Sequence, residues 1–220
     1  MAVDLDDLPS TAITAPEQGT GGRARTAKLV LILGSLSAFG PLSTDMYLPS
    51  LPAMAADFHA TAIEIQLTLT ACVLGLGFGQ MIAGPLSDTL GRRRPLLVGL
   101  ALFTAFSVAC AVAPSASTLV LFRWFQALGG AAGLVIARAV VRDLYSGRAL
   151  ARFFSMLMLV MGVAPILAPV LGGQLILITS WRGVFLVLAV VGLGLLIVTA
   201  TGLPETLPAD QRSRGSLRAT

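Results

Sequence analysis

Gly84-Pro85-Leu86-Ser87-Asp88-Thr89-Leu90-Gly91-Arg92-Arg93-Arg94 is the stretch whose reading decides the fold. A long apolar segment runs into it and another leaves it at Pro95, so a short hydrophilic turn joins two hydrophobic spans. Gly84 and Gly91 carry no Cβ and let the backbone turn sharply or approach closely. Asp88 stands at the end of one helix, and Arg92, Arg93 and Arg94 form a dense cation cluster beside the membrane. Basic residues at such a place can simply anchor a topology. Three arginines serving only that purpose would need neither the glycines nor the aspartate.

Composition agrees with a membrane setting. Of 220 residues, 55% are hydrophobic and 12% charged, with a mean hydropathy of +0.85; a soluble domain carries about 25% charged residues. Apolar runs of about 20 residues cross the hydrocarbon core, and six occur, at about 28–48, 63–86, 95–113, 118–140, 153–176 and 183–203. The expected architecture is an all-α membrane protein. The pI near 9.8 does not point to nucleic acid, because the arginines lie in short loops between apolar spans. Of the 15 basic residues, all but Arg123 (within a span) and Arg182 fall on one side. Positive residues stay cytoplasmic, so both termini are expected inside. Cys72 and Cys110 fall inside spans, which argues for small buried residues rather than a disulfide framework.

Residues 1–27 are polar, with Asp4, Asp6 and Asp7 near the start and no basic region followed by an apolar core. They read as a disordered cytoplasmic tail, not a signal peptide. Residues 50–62 read as an outer loop holding the sole histidine, His59, whose ordinary role in a loop is to be solvated. Residues 204–220 form a basic polar tail beginning Pro204-Glu205-Thr206-Leu207. A weak repeat links Leu86-Ser87-Asp88-Thr89-Leu90 to Leu171-Gly172-Gly173-Gln174-Leu175, with Gly91-Arg92-Arg93 echoed by Trp181-Arg182. The second copy falls on the opposite side of the membrane, as inverted repeats of three helices would place it.

Three spans carry the chemistry. Asp45 lies near the outer end of the first, on a helical face with Gly34, Ala38 and Pro41. A carboxylate inside a span costs roughly 2.5–3.5 kcal/mol on insertion scales and marks a functional site, unless it snorkels to water at the interface. Arg123 reaches a similar depth in the antiparallel fourth span, on a face with Gln126, Ala127 and Gly130. Opposite charges in hydrocarbon either pair or line water; a pair would hold both groups ionised. The fifth span collects Gly162, Pro165, Pro169 and Gly173 on one face, with Gly172 at its edge. Prolines four apart suggest a built-in bend, and the small residues alternatively form a packing seam.

These motifs resemble known ones. Gly84-x-Leu86-x-Asp88-x-x-Gly91-Arg92-Arg93 closely resembles the loop between the second and third helices of major facilitator superfamily transporters. Asp45-Met46-Tyr47-Leu48-Pro49 looks like the first-helix motif of the Bcr/CflA-like drug-resistance subfamily, which Trp181-Arg182 and Pro204-Glu205-Thr206-Leu207 also match. Arg123-x-x-Gln126-x-x-Gly129 resembles the fourth-helix motif whose arginine is implicated in proton coupling, with Ala127 where Gly is common. The fifth span resembles the antiporter motif, with Ala164 replacing the Gly before Pro165. The resemblance covers about residues 28–210.

It implies one half, a 3+3 inverted repeat, of a facilitator fold: the N-terminal half of a proton-coupled multidrug efflux pump in the bacterial inner membrane. Asp45, Arg123 and Gln126 would couple proton and substrate. Gly84, Asp88, Gly91, Arg92 and Arg93 would form the conformational switch loop. Gly162, Pro165, Pro169, Gly172 and Gly173 would form the antiporter-type kink. Small hydrophobic or cationic drugs would be the substrates, the proton motive force the only energy source, and a second six-helix half the partner, without which the chain is inactive. No cofactor, metal or nucleic acid is implied. A stand-alone six-helix channel or a homodimeric half-transporter is the alternative. An intramembrane enzyme is disfavoured, since His59 lies in a loop and no paired carboxylates or metal-ligand cluster occur.

Overall fold

The computed structural model describes residues 20–212, with side chains from Lys28 onward. Most of the expected N-terminal tail and the residues from 213 lie outside it. The elements are α1 (Thr20–Asp45), a 3-10 turn (Leu48–Ser50), α2 (Leu51–Asp57), α3 (Ala62–Leu90), α4 (Arg93–Ala111), α5 (Ala116–Leu144), α6 (Gly147–Ile178) and α7 (Trp181–Gly202). Six segments are long and apolar enough to cross a membrane, α1 and α2 together supplying the first. Helix α1 starts at Thr20, inside the stretch expected as tail, because a helix continues past the apolar run that defines the span. The expected outer loop contains a short helix, α2, with Pro52 in its first turn, where a missing N–H costs nothing. His59 ends it at φ +49, exposed in a tight turn.

Local sequence explains several helix ends. Thr61 and Glu64 make a reciprocal capping box at the start of α3: the Glu64 N–H donates to Thr61 Oγ1 at 3.3 Å and the Thr61 N–H donates to Glu64 Oε2 at 2.7 Å. Ser115 caps α5 by accepting from the Thr118 N–H at 3.2 Å. Gly91 ends α3 at φ +90, a conformation that L side chains rarely adopt.

Helix α5 is the centre of the bundle, packed between α3, α4 and α1, with α7 against α4 and α6 against α1. Without a hydrophobic drive between helices in lipid, close backbone approach must hold them. The glycines provide it. A methyl built at Gly99 on α4 would lie 2.7 Å from the Gly129 carbonyl on α5, and one at Gly129 would lie 2.6 Å from the Gly99 carbonyl. Gly79 on α3 meets Leu128 of α5 in the same way, at 2.6 Å. Cys72 and Cys110 are free and buried.

The two ends of the bundle are held by different contacts. At one end gather Lys28, the α3–α4 loop, the end of α5 and the end of α7. At the other, Arg182 and Trp181 donate to Asp57, and the Arg182 guanidinium reaches the Ala113 carbonyl at 3.3 Å. This places an Arg–Asp pair at each end, Arg92 with Asp88 and Asp143, Arg182 with Asp57.

Candidate functional site

Arg123 projects from α5 into the interior and is fully buried. Its Nη1 donates to Gln126 Oε1 at 2.6 Å, one turn along the same helix, and to Ser43 Oγ at 3.4 Å. Its Nη2 donates to the Ser43 carbonyl at 3.1 Å, while Nε has no partner. The Gln126 amide passes the network on to Ser107 Oγ at 2.6 Å, which donates in turn to the Phe103 carbonyl. The guanidinium lies 4.1 Å from the Tyr47 ring centroid and 5.5 Å from that of Phe185, so aromatic faces share the burden of a desolvated cation. Tyr47 is fixed by Thr68, hydroxyl to hydroxyl at 3.3 Å.

Among the described residues no carboxylate pairs with Arg123. Of the two arrangements that the sequence leaves open, pairing with each other or lining water, the ion pair between Asp45 and Arg123 is not formed here. Helical geometry supplies the reason: Ser43 faces the guanidinium, and Asp45, two residues on, is turned about 200° around α1. Asp45 ends α1 half-buried, and the cation is held by dipoles and ring faces instead.

The second cluster is the loop between α3 and α4. Arg92, 8% exposed, donates through Nε to Asp143 Oδ2 at 2.9 Å, through Nη1 to Ser87 Oγ at 2.9 Å, and to Asp88 one turn back on α3. Burial lowers the Arg92 pKa, but its bonds to Asp143 and Asp88 outweigh this and leave it raised. Glu205 receives the Arg92 backbone N–H at 2.8 Å and the Arg93 N–H at 3.2 Å, capping α4 from a segment more than a hundred residues away. Burial raises the Glu205 pKa, but these N–H donations, with that of Leu207, hold it below its ordinary value. Gly91 is required here by space as well as φ, since a methyl there would lie 2.8 Å from the Glu205 carboxyl carbon. Gly84 is less constrained, its nearest neighbour being Val135 at 3.9 Å.

The family model of the major facilitator superfamily matches residues 33–219. The chain belongs to the major facilitator superfamily. It is 46% identical over 198 residues to the uncharacterized MFS-type transporter YdgK of Bacillus subtilis, covering 89% of this chain and 49% of that one. It is 34% identical to multidrug resistance protein D of Escherichia coli (86% and 48% covered) and 33% identical to a bicyclomycin resistance protein homolog of Haemophilus influenzae (83% and 46%). The chain thus spans about half the length of the curated relatives it matches. In three dimensions it overlays the proton:xylose symporter XylE with a TM-score of 0.75 at 14% identity, over 86% of this chain and 48% of the symporter. This likeness shows the facilitator fold.

Within that fold the Gly/Pro face of α6 does not form the packing seam that was the alternative to a bend. Gly162 and Pro165 are exposed, and a methyl built at Gly162 or Gly173 would meet nothing within 4 Å. The buried face is the adjacent one, Ala164, Ala168 and Gly172, where a Cβ on Gly172 would collide with the Met46 carbonyl oxygen just beyond the end of α1. The seam therefore runs through the residue read as the edge, and the Gly/Pro face is left open on this facilitator half. Helix α6 continues unbroken through Pro165 and Pro169.

Sequence reasoning overlooked four facilitator residues. Ser43 and Ser107 bracket the Arg123–Gln126 pair, and small polar residues in apolar spans were the available signal. Asp143 follows Arg142 directly, in a stretch where Arg138, Arg142, Arg148 and Arg152 outnumber it. Glu205 lies in the motif Pro204-Glu205-Thr206-Leu207 that opens the tail, and nothing local marks it as the cap of α4.

Proposed function

We propose that this chain is the N-terminal six-helix half of a proton-coupled multidrug efflux transporter of the bacterial inner membrane, with both ends cytoplasmic. The observation that carries the proposal is Arg123: a fully buried guanidinium with no carboxylate partner among the described residues. Such a charge is costly, and a side chain retained at that cost inside a span marks a transport pathway. Asp45 lies two residues beyond Ser43 on α1, and supplies the titrating carboxylate. Protonation of Asp45 removes the one negative charge that this part of α1 can offer. The Arg123–Gln126–Ser43 network then rearranges with the field, and drug and proton exchange across the pathway. Relatives named for multidrug and bicyclomycin resistance support small drug-like molecules as the substrate class. The Arg92 clamp serves as the switch loop, meeting the second half in one of the two access states, and the Gly/Pro face of α6 supplies the flexible wall.

With a second six-helix half supplied, Asp45→Asn is expected to abolish uncoupler-sensitive dye efflux. Because Asp45 makes no ion pair here, the variant should insert normally and unfold within about 0.5 kcal/mol of the parent. Proton-driven efflux surviving in the Asn variant contradicts the role given to Asp45.

A further inference from the structure

On the outer wall of the bundle, α1 and α7 diverge to leave a groove of about 780 Å³ that belongs to neither cluster above. Its walls are apolar, Leu31, Ile32 and Ala38 from α1 facing Gly194 and Val198 from α7, and Lys28 stands at one end. We propose that this groove holds one acyl chain of an anionic phospholipid whose phosphate rests on the Lys28 ammonium.

Three observations select this occupant. First, both walls belong to membrane spans and are open to the bilayer: Leu31 is 71% exposed and Val198 41%. The floor is built for a chain, since a methyl at Gly194 would meet nothing within 4 Å. Second, the dimensions suit one leaflet. From Lys28 to Ala38, α1 rises about 15 Å at 1.5 Å per residue, which is half of a hydrocarbon core about 30 Å thick. Third, the charge at the mouth is uncompensated. The Lys28 stem crosses the last turn of α7, where the absence of a Gly202 side chain makes room: a methyl there would lie 2.7 Å from Lys28 Cε. No described carboxylate pairs with Lys28. Arg93 adds a second cation at the same helix end, donating to the Ala200 carbonyl at 2.6 Å. Glu205, the nearby acid, is already taken up by the Arg92 and Arg93 backbone. Basic side chains at the edge of an apolar cleft between spans attract anionic headgroups. A hydrophobic cation would fit the walls but be repelled at the mouth.

The test is lipid binding by the whole 220-residue chain in non-ionic detergent, followed by native mass spectrometry and thermal unfolding, with phosphatidylglycerol and phosphatidylcholine compared at equal chain length. Phosphatidylglycerol is expected to bind about fivefold more tightly and to raise the unfolding midpoint further than phosphatidylcholine. Lys28→Gln should erase that difference and Lys28→Arg should keep it. Gly194→Leu, which fills the floor without touching a charge, should weaken both lipids. Equal binding of the two lipids, or a phosphatidylglycerol preference that survives Lys28→Gln, overturns the proposal. So does a dimer that dissociates in the Gly194→Leu variant, which would assign the groove to a second copy of the chain.

Discussion

Replacing Arg123 with leucine is expected to abolish transport by the complete pump and to destabilise the half that carries it. The substitution leaves Gln126 and the Ser43 carbonyl without their donors in a buried site, where hydrogen bonds to a charged group contribute about 1.5–3 kcal/mol each. It also removes the cation that lies 4.1 Å from the Tyr47 centroid. Arg123→Lys is the sharper variant. An ammonium preserves the charge but cannot reach Gln126 and Ser43 together as the planar fork does. Efflux is expected to fall at least about tenfold with insertion intact, equivalent to about 1.4 kcal/mol of lost stabilisation. Full activity in the lysine variant would show that charge alone suffices and that the network geometry is incidental.

The second large effect falls on the Arg92 clamp. Arg92→Leu strips Asp143 of its bidentate partner and Asp88 of its helical one. Removing one member of a partly buried ion-pair group costs about 3–5 kcal/mol when the remaining charge stays buried. The exposed Asp88 should relax into water, so the lower end of that range is expected, read as a fall in the unfolding midpoint in detergent. Glu205 contributes to the same clamp with a defined pH dependence. Its folded pKa is depressed, so its contribution is fully present above the unfolded glutamate value and is lost as pH falls through the folded value. Glu205→Gln should remove this acid-side loss, leaving a flatter profile below the ordinary glutamate range. An unchanged acid slope in the glutamine variant would separate Glu205 from the clamp.

How much of this was legible in the sequence follows from which forces set each feature. The six spans were readable because hydropathy and length alone decide membrane insertion. The α3–α4 turn was readable because Gly91, at φ +90, is a backbone requirement that shows in residue type. The partners of Arg92 were not, since Asp143 comes from the last turn of α5 and Glu205 from the segment after α7, 51 and 113 residues away, and nothing local announces their convergence. Whether Asp45 and Arg123 pair was not legible either, for a physical reason. Depth in the membrane can be estimated from span ends, but azimuth depends on how α1 is rotated against α5. That rotation is set by packing such as Gly133 against the Leu36 carbonyl and Gly40 against Leu134. It brings Ser43, not Asp45, to the guanidinium. The α6 seam shifted by one position along the helix for the same kind of reason, with Gly172 alone admitting the Met46 backbone.

Exposed apolar faces on α3 and α6, including Phe78, Met81 and Ile82 on one and Ile166, Leu167 and Val170 on the other, leave a broad surface for a second bundle or for lipid. The proposed half-transporter reading assigns that surface to a second half, with the substrate pathway between the two. The measurement that tests this most directly is energised dye efflux from cells lacking their own pumps, comparing the 220-residue chain alone with the chain co-expressed with the C-terminal half of a related drug exporter, insertion being confirmed separately. The expected result is no uncoupler-sensitive efflux from the chain alone and its appearance when the second half is present. Uncoupler-sensitive efflux from the chain alone would contradict the half-transporter reading and assign transport to a homodimer of this bundle.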